Sequence, residues 1–134
     1  MHCDGKIGKY VKIVQRYSWL HMAEVQVYGG SKGVSGLGIL SDGMPTKASS
    51  VGKGMVPERA VDGNPDGAPV HGSCYASKGP KNNWWQVDLQ KSYPVYTILV
   101  HNRVDPKKGV KRHIDGAQVR WNSFSCFVNG ILFT

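Results

Sequence analysis

Residues 82–89 read Asn-Asn-Trp-Trp-Gln-Val-Asp-Leu, and residues 94–101 read Pro-Val-Tyr-Thr-Ile-Leu-Val-His. In the first stretch apolar and polar side chains alternate from Trp85 onward, the two-residue period of a strand with one face in a core. Trp84 and Trp85 are neighbours and face opposite sides, so at most one of them points inward. The second stretch is rich in β-branched residues, which suits a central strand. Working outward, Tyr10–Val14, Ala23–Tyr28 and Ala117–Trp121 alternate in the same way. Arg16–His21 reads as a tight crossover between the first two of these. Residues 29–43, rich in glycine and serine, read as a flexible linker. Residues 55–74 carry Pro57, Pro65 and Pro69 with several glycines and read as loop. No segment shows a helical or heptad period, so the expected class is all-β.

The chain has 134 residues, long enough for one domain with a working core. Its 40% hydrophobic and 10% aromatic content argues against disorder, and its 17 glycines and 7 prolines suit short strands joined by many turns. No apolar run is long enough to cross a bilayer. Met1-His2-Cys3-Asp4 lacks the apolar stretch of a secretory leader. The formal charge of +8 favours anionic partners such as sulfated glycans or acidic lipid headgroups. Lys107, Lys108, Lys111 and Arg112 concentrate that charge in one loop. No nucleic-acid motif accompanies it. No serine sits in a nucleophile elbow and the five histidines have no zinc-type spacing, so an enzyme is not expected.

Two further motifs carry chemistry: Arg59-Ala-Val-Asp-Gly-Asn64, and His71-Gly-Ser-Cys74. The first ends in a turn offering carboxylate, amide and carbonyl oxygens, the hard ligands that calcium takes about six to eight of. Without an ion the same turn is an Asx turn in which Asp62 caps backbone amides. Together with 82–89 and Val100-His-Asn-Arg-Val-Asp105, these motifs resemble the front half of an F-type lectin (fucolectin) domain, a β-sandwich jelly roll related to discoidin domains. In that family a segment like Gly8-Lys-Tyr-Val-Lys-Ile13 … Glu24-Val-Gln-Val-Tyr-Gly29 closes the domain, whereas here it opens the chain. The resemblance covers most of residues 5–121. It implies one domain over 1–134, with closing strands in 1–28, the linker in 29–43 and the opening strands and ligand loops in 44–134. Thr46–Ser50 matches the short opening strand. The order is either a circular permutation or a partial domain, and the first 28 residues complete either this copy or a neighbouring one in a domain swap or homo-oligomer.

The resemblance also implies a structural calcium ion held by the carbonyls of Arg59 and Ala23 with Asp62, Asn64, Ser73 and Glu24. It implies secretion, with a leader removed or a partial gene product, and a Cys3–Cys126 bridge. Cys74 has Ala23 where the family places its partner, so it is expected as a buried free thiol. The family grips fucose with one histidine and two arginines. Arg103 and Asp105 match that pattern, and Arg112, with Lys111 as the alternative, is the candidate second arginine. The family's vicinal cysteines are replaced here by Pro106, Lys107 and Lys108, and its ligand histidine falls at Ala76. His71 and His101 lie nearby in sequence, and His71 joins the ligand candidates. Trp85 or Trp84 is expected to pack, as are Tyr10 and Tyr28, while Trp19 is the better exposed contact. The leading expectation is a calcium-stabilised lectin without catalysis, with fucose as the first candidate glycan. The alternative is an adhesion or scaffold module with a degenerate sugar site, binding protein, acidic lipid or sulfated glycan through residues 107–112.

Overall fold

The computed structural model describes residues 2–30, 38–66, 72–103, 118–121 and 124–126, the first three and last seven of these as backbone alone. The elements are β1 (His2–Gln15), β2 (His21–Gly29), β3 (Gly38–Ile39), β4 (Thr46–Ala48), a 3₁₀ helix (Pro57–Val61), β5 (Tyr75–Ala76), β6 (Asn83–Asn102), β7 (Gln118–Trp121) and β8 (Phe124–Cys126). All pairings are antiparallel, in the order β3-β2-β6-β1-β7-β8, with β4 also on β6 and β5 also on β2. The fold is an all-β, discoidin-like sandwich. Among the described residues no helix is long and apolar enough to cross a membrane.

The centre of the fold is β6. The sequence reads as two strands there, 84–89 and 94–101, but the structure joins them into one 20-residue strand. Ladder pairing to β1 continues on both sides of the join, from Gln15↔Asn83 to Tyr10↔Asp88, then Gly8↔Tyr93 to Lys6↔Val95, with a register shift between. Gln90, at φ 71°, takes the left-handed conformation at the join, and the Asp88 carboxylate accepts its N–H at 2.7 Å. The two halves then take different second neighbours. Residues 85–87 pair with β4, and 95–102 pair with β2. The chain's first 29 residues therefore lie along both edges of a strand some seventy residues later, within the same chain.

Side-chain alternation builds the core from these ladders. Val11 and Ile13 of β1, Val25 and Val27 of β2, and Trp85, Val87, Leu89, Val95, Ile98 and Val100 of β6 share one buried cluster. Trp85 is the inward tryptophan, fully buried, and its indole N–H donates to the Pro57 carbonyl at 3.0 Å. Trp84 faces outward, with the Lys12 ammonium 4.4 Å from its ring centre. Tyr10 is a surface residue rather than a packing one, with the Lys9 ammonium 5.1 Å over its ring. Tyr28 is half-buried and donates to the Gln26 side chain at 3.2 Å.

Two segments differ from the sequence expectation. The 3₁₀ helix interrupts the 55–74 loop. Pro57 at its start has the fixed φ a helix accepts, and Pro57, Ala60 and Val61 are buried. So short a run leaves too little periodicity to be read in advance. The Cys3–Cys126 bridge rests on side chains outside the described ones, but the backbone register bears on it. Cys126 pairs with Val119, and Val119 with Ile13, ten residues along β1 from Cys3. At ~3.3 Å per residue that separation far exceeds the ~7 Å between Cα atoms that a disulfide spans. This register does not bring the pair together. Residues 31–37 of the glycine-rich segment lie outside the described set, while Gly38–Ile39 returns to pair with β2.

The opposite orientations of the tryptophans give a direct check. Trp85→Ala should cost ~3–5 kcal/mol, since it leaves a cavity and frees the Pro57 carbonyl. Trp84→Ala should cost about 1 kcal/mol or less. Urea titrations of the two variants measure the difference.

Candidate functional site

Two neighbouring sites grow from the first turns of β2. The first is an acidic bend. Ser41 stands in for a strand partner: the Val27 N–H donates to its hydroxyl at 3.0 Å, and the hydroxyl donates to the Val25 carbonyl at 3.0 Å. The Leu40 N–H donates to the Val27 carbonyl at 2.7 Å, and the Gly43 N–H to the Val61 carbonyl at 2.8 Å. These bonds lace residues 40–43 between β2 and the 3₁₀ helix and deliver Asp42 beside Gly63. The Asp42 carboxylate is 4.0 Å from where a Gly63 Cβ would stand, and Gly63, at φ 81°, makes the bend. Asp62 accepts the Asn64 N–H at 2.9 Å and the Ser73 hydroxyl at 2.7 Å, and Ser73 also reaches the Asn64 carbonyl at 2.9 Å. The turn is thus an Asx turn tied to the 72–74 segment.

Glu24 of β2 lies beneath this bend and is fully buried. Neither of its carboxylate oxygens is hydrogen bonded, although the Asp62 carboxylate and the Gly63 amide lie close enough to set its protonation. Burial first, then Asp62 and Asp42, push its pKa up from 4.5 to about 9, with only the Gly63 amide acting the other way. A buried carboxylate facing two others, with only the Gly63 amide acting in favour of its charge, is costly unless a proton or a cation joins it. Among the described residues no three His, Cys, Asp or Glu side chains form a metal cluster by themselves. A cation here would therefore draw part of its shell from carbonyl, amide and hydroxyl oxygens, the donor set that suits a hard ion.

The second site is a cavity of about 420 Å³ at the other side of the β2 start. Here β5 is sandwiched: His21 pairs with Ala76 and Met22 with Tyr75. On its far edge the Gly52 N–H donates to the Ala76 carbonyl at 2.8 Å, and the Ala76 N–H donates to the Met55 carbonyl at 3.2 Å. Gly52 has to be glycine, because a Cβ would strike the Ser77 carbonyl. Ser77 locks the other wall, accepting the Leu20 N–H at 3.0 Å and donating to the Gly79 carbonyl at 3.1 Å. The lining comprises Trp19, His21, Val51, Gly52, Lys53, Met55, Ala76, Ser77, Lys78 and Arg103. Arg103 Nη1 lies 2.8 Å from His21 Nδ1. A guanidinium only donates, so Nδ1 is the acceptor and the proton sits on Nε2. Arg103 Nε is buried and has no partner among the described residues. Trp19, 37% exposed, tilts over the His21 ring with centroids 5.9 Å apart.

Comparison with known proteins matches this region. A family model of the F5/F8 type C kind, described as a NedA-like, galactose-binding domain, matches residues 59–123. A fucolectin of Anguilla anguilla is 46% identical over 46 residues, covering 34% of this chain and 29% of that protein. Fucolectin-6 of Anguilla japonica is 44% identical over 46 residues (34% and 25%), and its fucolectin-5 is 40% identical over 50 residues (37% and 26%). The matched stretch is therefore less than a third of each relative. No solved structure matches the chain with significance. Residues 59–123 thus resemble discoidin-related F5/F8 type C domains, and a stretch of the chain resembles fucolectins.

Within this domain the structure places the residues expected from sequence as follows. Glu24, Asp62, Asn64 and Ser73 meet at the acidic bend. Ala23 is buried beside Glu24 on β2, and Arg59 closes the first turn of the 3₁₀ helix, its N–H donating to the Val56 carbonyl at 3.2 Å. Arg103 lines the cavity. His71, Asp105, Lys111 and Arg112 lie outside the described residues. His101 stands apart from the cavity, next to Gln26 at 3.1 Å. Cys74 is a buried free thiol, pushed up in pKa mainly by burial, its sulfur 3.7 Å from the Asp66 carbonyl.

Sequence reasoning missed four contributors. Asp42 sits inside the glycine-rich segment and reads as linker. His21 lies at the end of the crossover, and only the β2–β5 register shows that it faces Ala76. Lys53 and Lys78 read as ordinary surface charge. The vacancy at Ala76 was the one available signal, and it does not say where a replacement histidine comes from.

The acidic bend makes a pH prediction. The unfolded chain gives up the Glu24 proton near 4.5, but the native state holds it to about 9. The native state carries the extra proton across that window, so the cation-free protein loses stability as pH rises through it. Glu24→Gln should flatten this slope and stabilise the cation-free protein at pH 8 by on the order of a few kcal/mol. Denaturant titrations in chelator from pH 5 to 9 measure it.

Proposed function

We propose that this domain is a non-catalytic, calcium-stabilised carbohydrate-binding module with fucose as its first candidate ligand. The observation that carries the reading is the Arg103–His21 pair on the wall of a cavity edged by Trp19. A sugar presents hydroxyls on its rim and C–H groups on its faces. Arg103, whose buried Nε has no partner among the described residues, and the His21 ring beside it supply polar groups for ring and hydroxyl oxygens. Trp19 supplies a flat apolar surface for a C–H face. Histidine and arginine are the side-chain types the family uses, and the histidine here comes from the strand facing Ala76 instead of from position 76 itself.

The acidic bend fits a calcium ion. Glu24, Asp62, Asn64 and Ser73, with the carbonyls of Arg59 and Ala23, are the residues that would hold it. A bound ion would neutralise the buried carboxylate and tie the 62–66 turn to the start of β2. Since Ala23 is two residues from His21, order at the bend is passed along one strand to the cavity. Secretion agrees with this reading, as an extracellular setting supplies the calcium.

Two measurements test these assignments. Calcium should raise the melting temperature at pH 7.5 by several degrees, and the gain should shrink as pH falls because protons compete for Glu24; Glu24→Gln should abolish it. An unchanged melt with saturating calcium would remove the ion from the reading. In calorimetric titrations with methyl α-L-fucoside, Arg103→Ala should weaken binding at least ~10-fold and His21→Ala by a smaller factor. Binding of only acidic lipid or protein, with no response to any sugar, would favour the adhesion-module alternative.

A further inference from the structure

Among the described residues, the ionisable side chains that line the cavity are Lys53, Lys78, Arg103 and His21. A neutral sugar is usually met by a mixture of donors and acceptors, because each hydroxyl does both. This wall offers mainly donors. The geometry also holds the two lysines in place. Lys53 occupies a left-handed backbone conformation, φ 50°, that non-glycine residues seldom adopt. It sits between Gly52, bonded to Ala76, and Gly54, whose carbonyl accepts the Val56 N–H at 3.0 Å. Lys78 has its N–H bonded to the Ser50 hydroxyl at 2.9 Å, and the Ser50 carbonyl accepts the Tyr75 hydroxyl at 3.0 Å. Both lysines therefore rise from fixed backbone, one in the 52–55 loop and one just after β5, where Gly52 packs against Ser77. Arg103 lines the same cavity, and its buried Nε has no partner among the described residues.

We propose that the cavity selects sugars carrying an anionic substituent, a sulfate ester or a carboxylate, which seats between Lys53, Lys78 and Arg103. This inference rests on the carbohydrate-binding reading above and names the ligand class of that same site. Arg103 and His21 grip the ring and its hydroxyls, and the two lysines discriminate by charge. A cavity with apolar walls strengthens such an interaction relative to open solvent. The preference fades with salt, because the lysine head groups are at the rim.

The test compares methyl α-L-fucoside, its mono-O-sulfate esters and a methyl glucuronide in calorimetric titrations at 50 and 500 mM salt. The variants are Lys53→Asn, chosen because asparagine tolerates the left-handed conformation, Lys78→Gln, and the pair together. Matching melting temperatures establish that the variants are folded. At low salt the preferred sulfate ester or the glucuronide should bind at least ~10-fold more tightly than the neutral sugar. In the double variant the affinities for the charged and the neutral sugars should fall within about twofold of each other. The two anionic probes show whether sulfate or carboxylate is the better fit. Equal affinity for neutral and anionic sugars overturns the inference and leaves the lectin reading standing. A preference that survives in the double variant also overturns it, since the anion then binds elsewhere. If no sugar of either kind binds, the lectin reading fails and takes this inference with it.

Discussion

The antiparallel ladders between residues 2–29 and β6 are the constraint on which the rest of the molecule depends. They carry β1 along one edge of β6 and β2 along the other. Every functional juxtaposition follows from the register of β2. Glu24 pairs with His101 and Met22 with Asn102, which sets the start of β2 level with Arg103 at the end of β6. On its other edge His21 meets Ala76. A shift of one residue would turn Glu24 and His21 to the opposite face. Long-range ladders of this kind close large loops, which costs entropy that the shared core of Trp85, Val87 and the β2 valines has to offset.

Polar groups at the two sites are treated in opposite ways. Around the cavity almost every backbone group has a partner, so the walls are stiff and the charged tips project from them. At the acidic bend the turn itself is well bonded, but the carboxylate below it is not. A protein rarely tolerates a buried carboxylate without donors, and the cost is of a size that matters against ordinary net stability. That local imbalance makes Glu24 informative. Its position is over-determined by the strand, so it cannot relax toward solvent, and its charge state must be settled by whatever shares the bend.

The adjacency of the two sites has its own consequence. Both start within four residues, from His21 to Glu24, at a point where every side chain of β2 is buried. Ordinary strands alternate, but here loop 52–55 with β5 covers one side and the 3₁₀ helix with residues 40–43 covers the other. This strand start joins the acidic bend to the cavity through consecutive buried residues of β2.

By itself the sequence determined the strand class and most of the strand positions, because a period of two with a buried face is a local property. Val11, Ile13, Trp85 and Val87 announce their faces through their neighbours. It also determined the Asx turn at Asp62, whose bonds span only a few residues, and the presence of Arg103 at a strand end. Only the tertiary structure decided which distant residues share a site. Asp42 reaches the bend through Ser41's bonds to β2. His21 faces Ala76 through a cross-strand register, and Lys53 and Lys78 line one cavity because Gly52 packs against Ser77. These contacts join positions tens of residues apart, and no pattern along the chain encodes them. The same reason separates the backbone at positions 3 and 126: Cys3 lies on β1 itself, whereas Cys126 pairs with Val119, whose partner on β1 is Ile13.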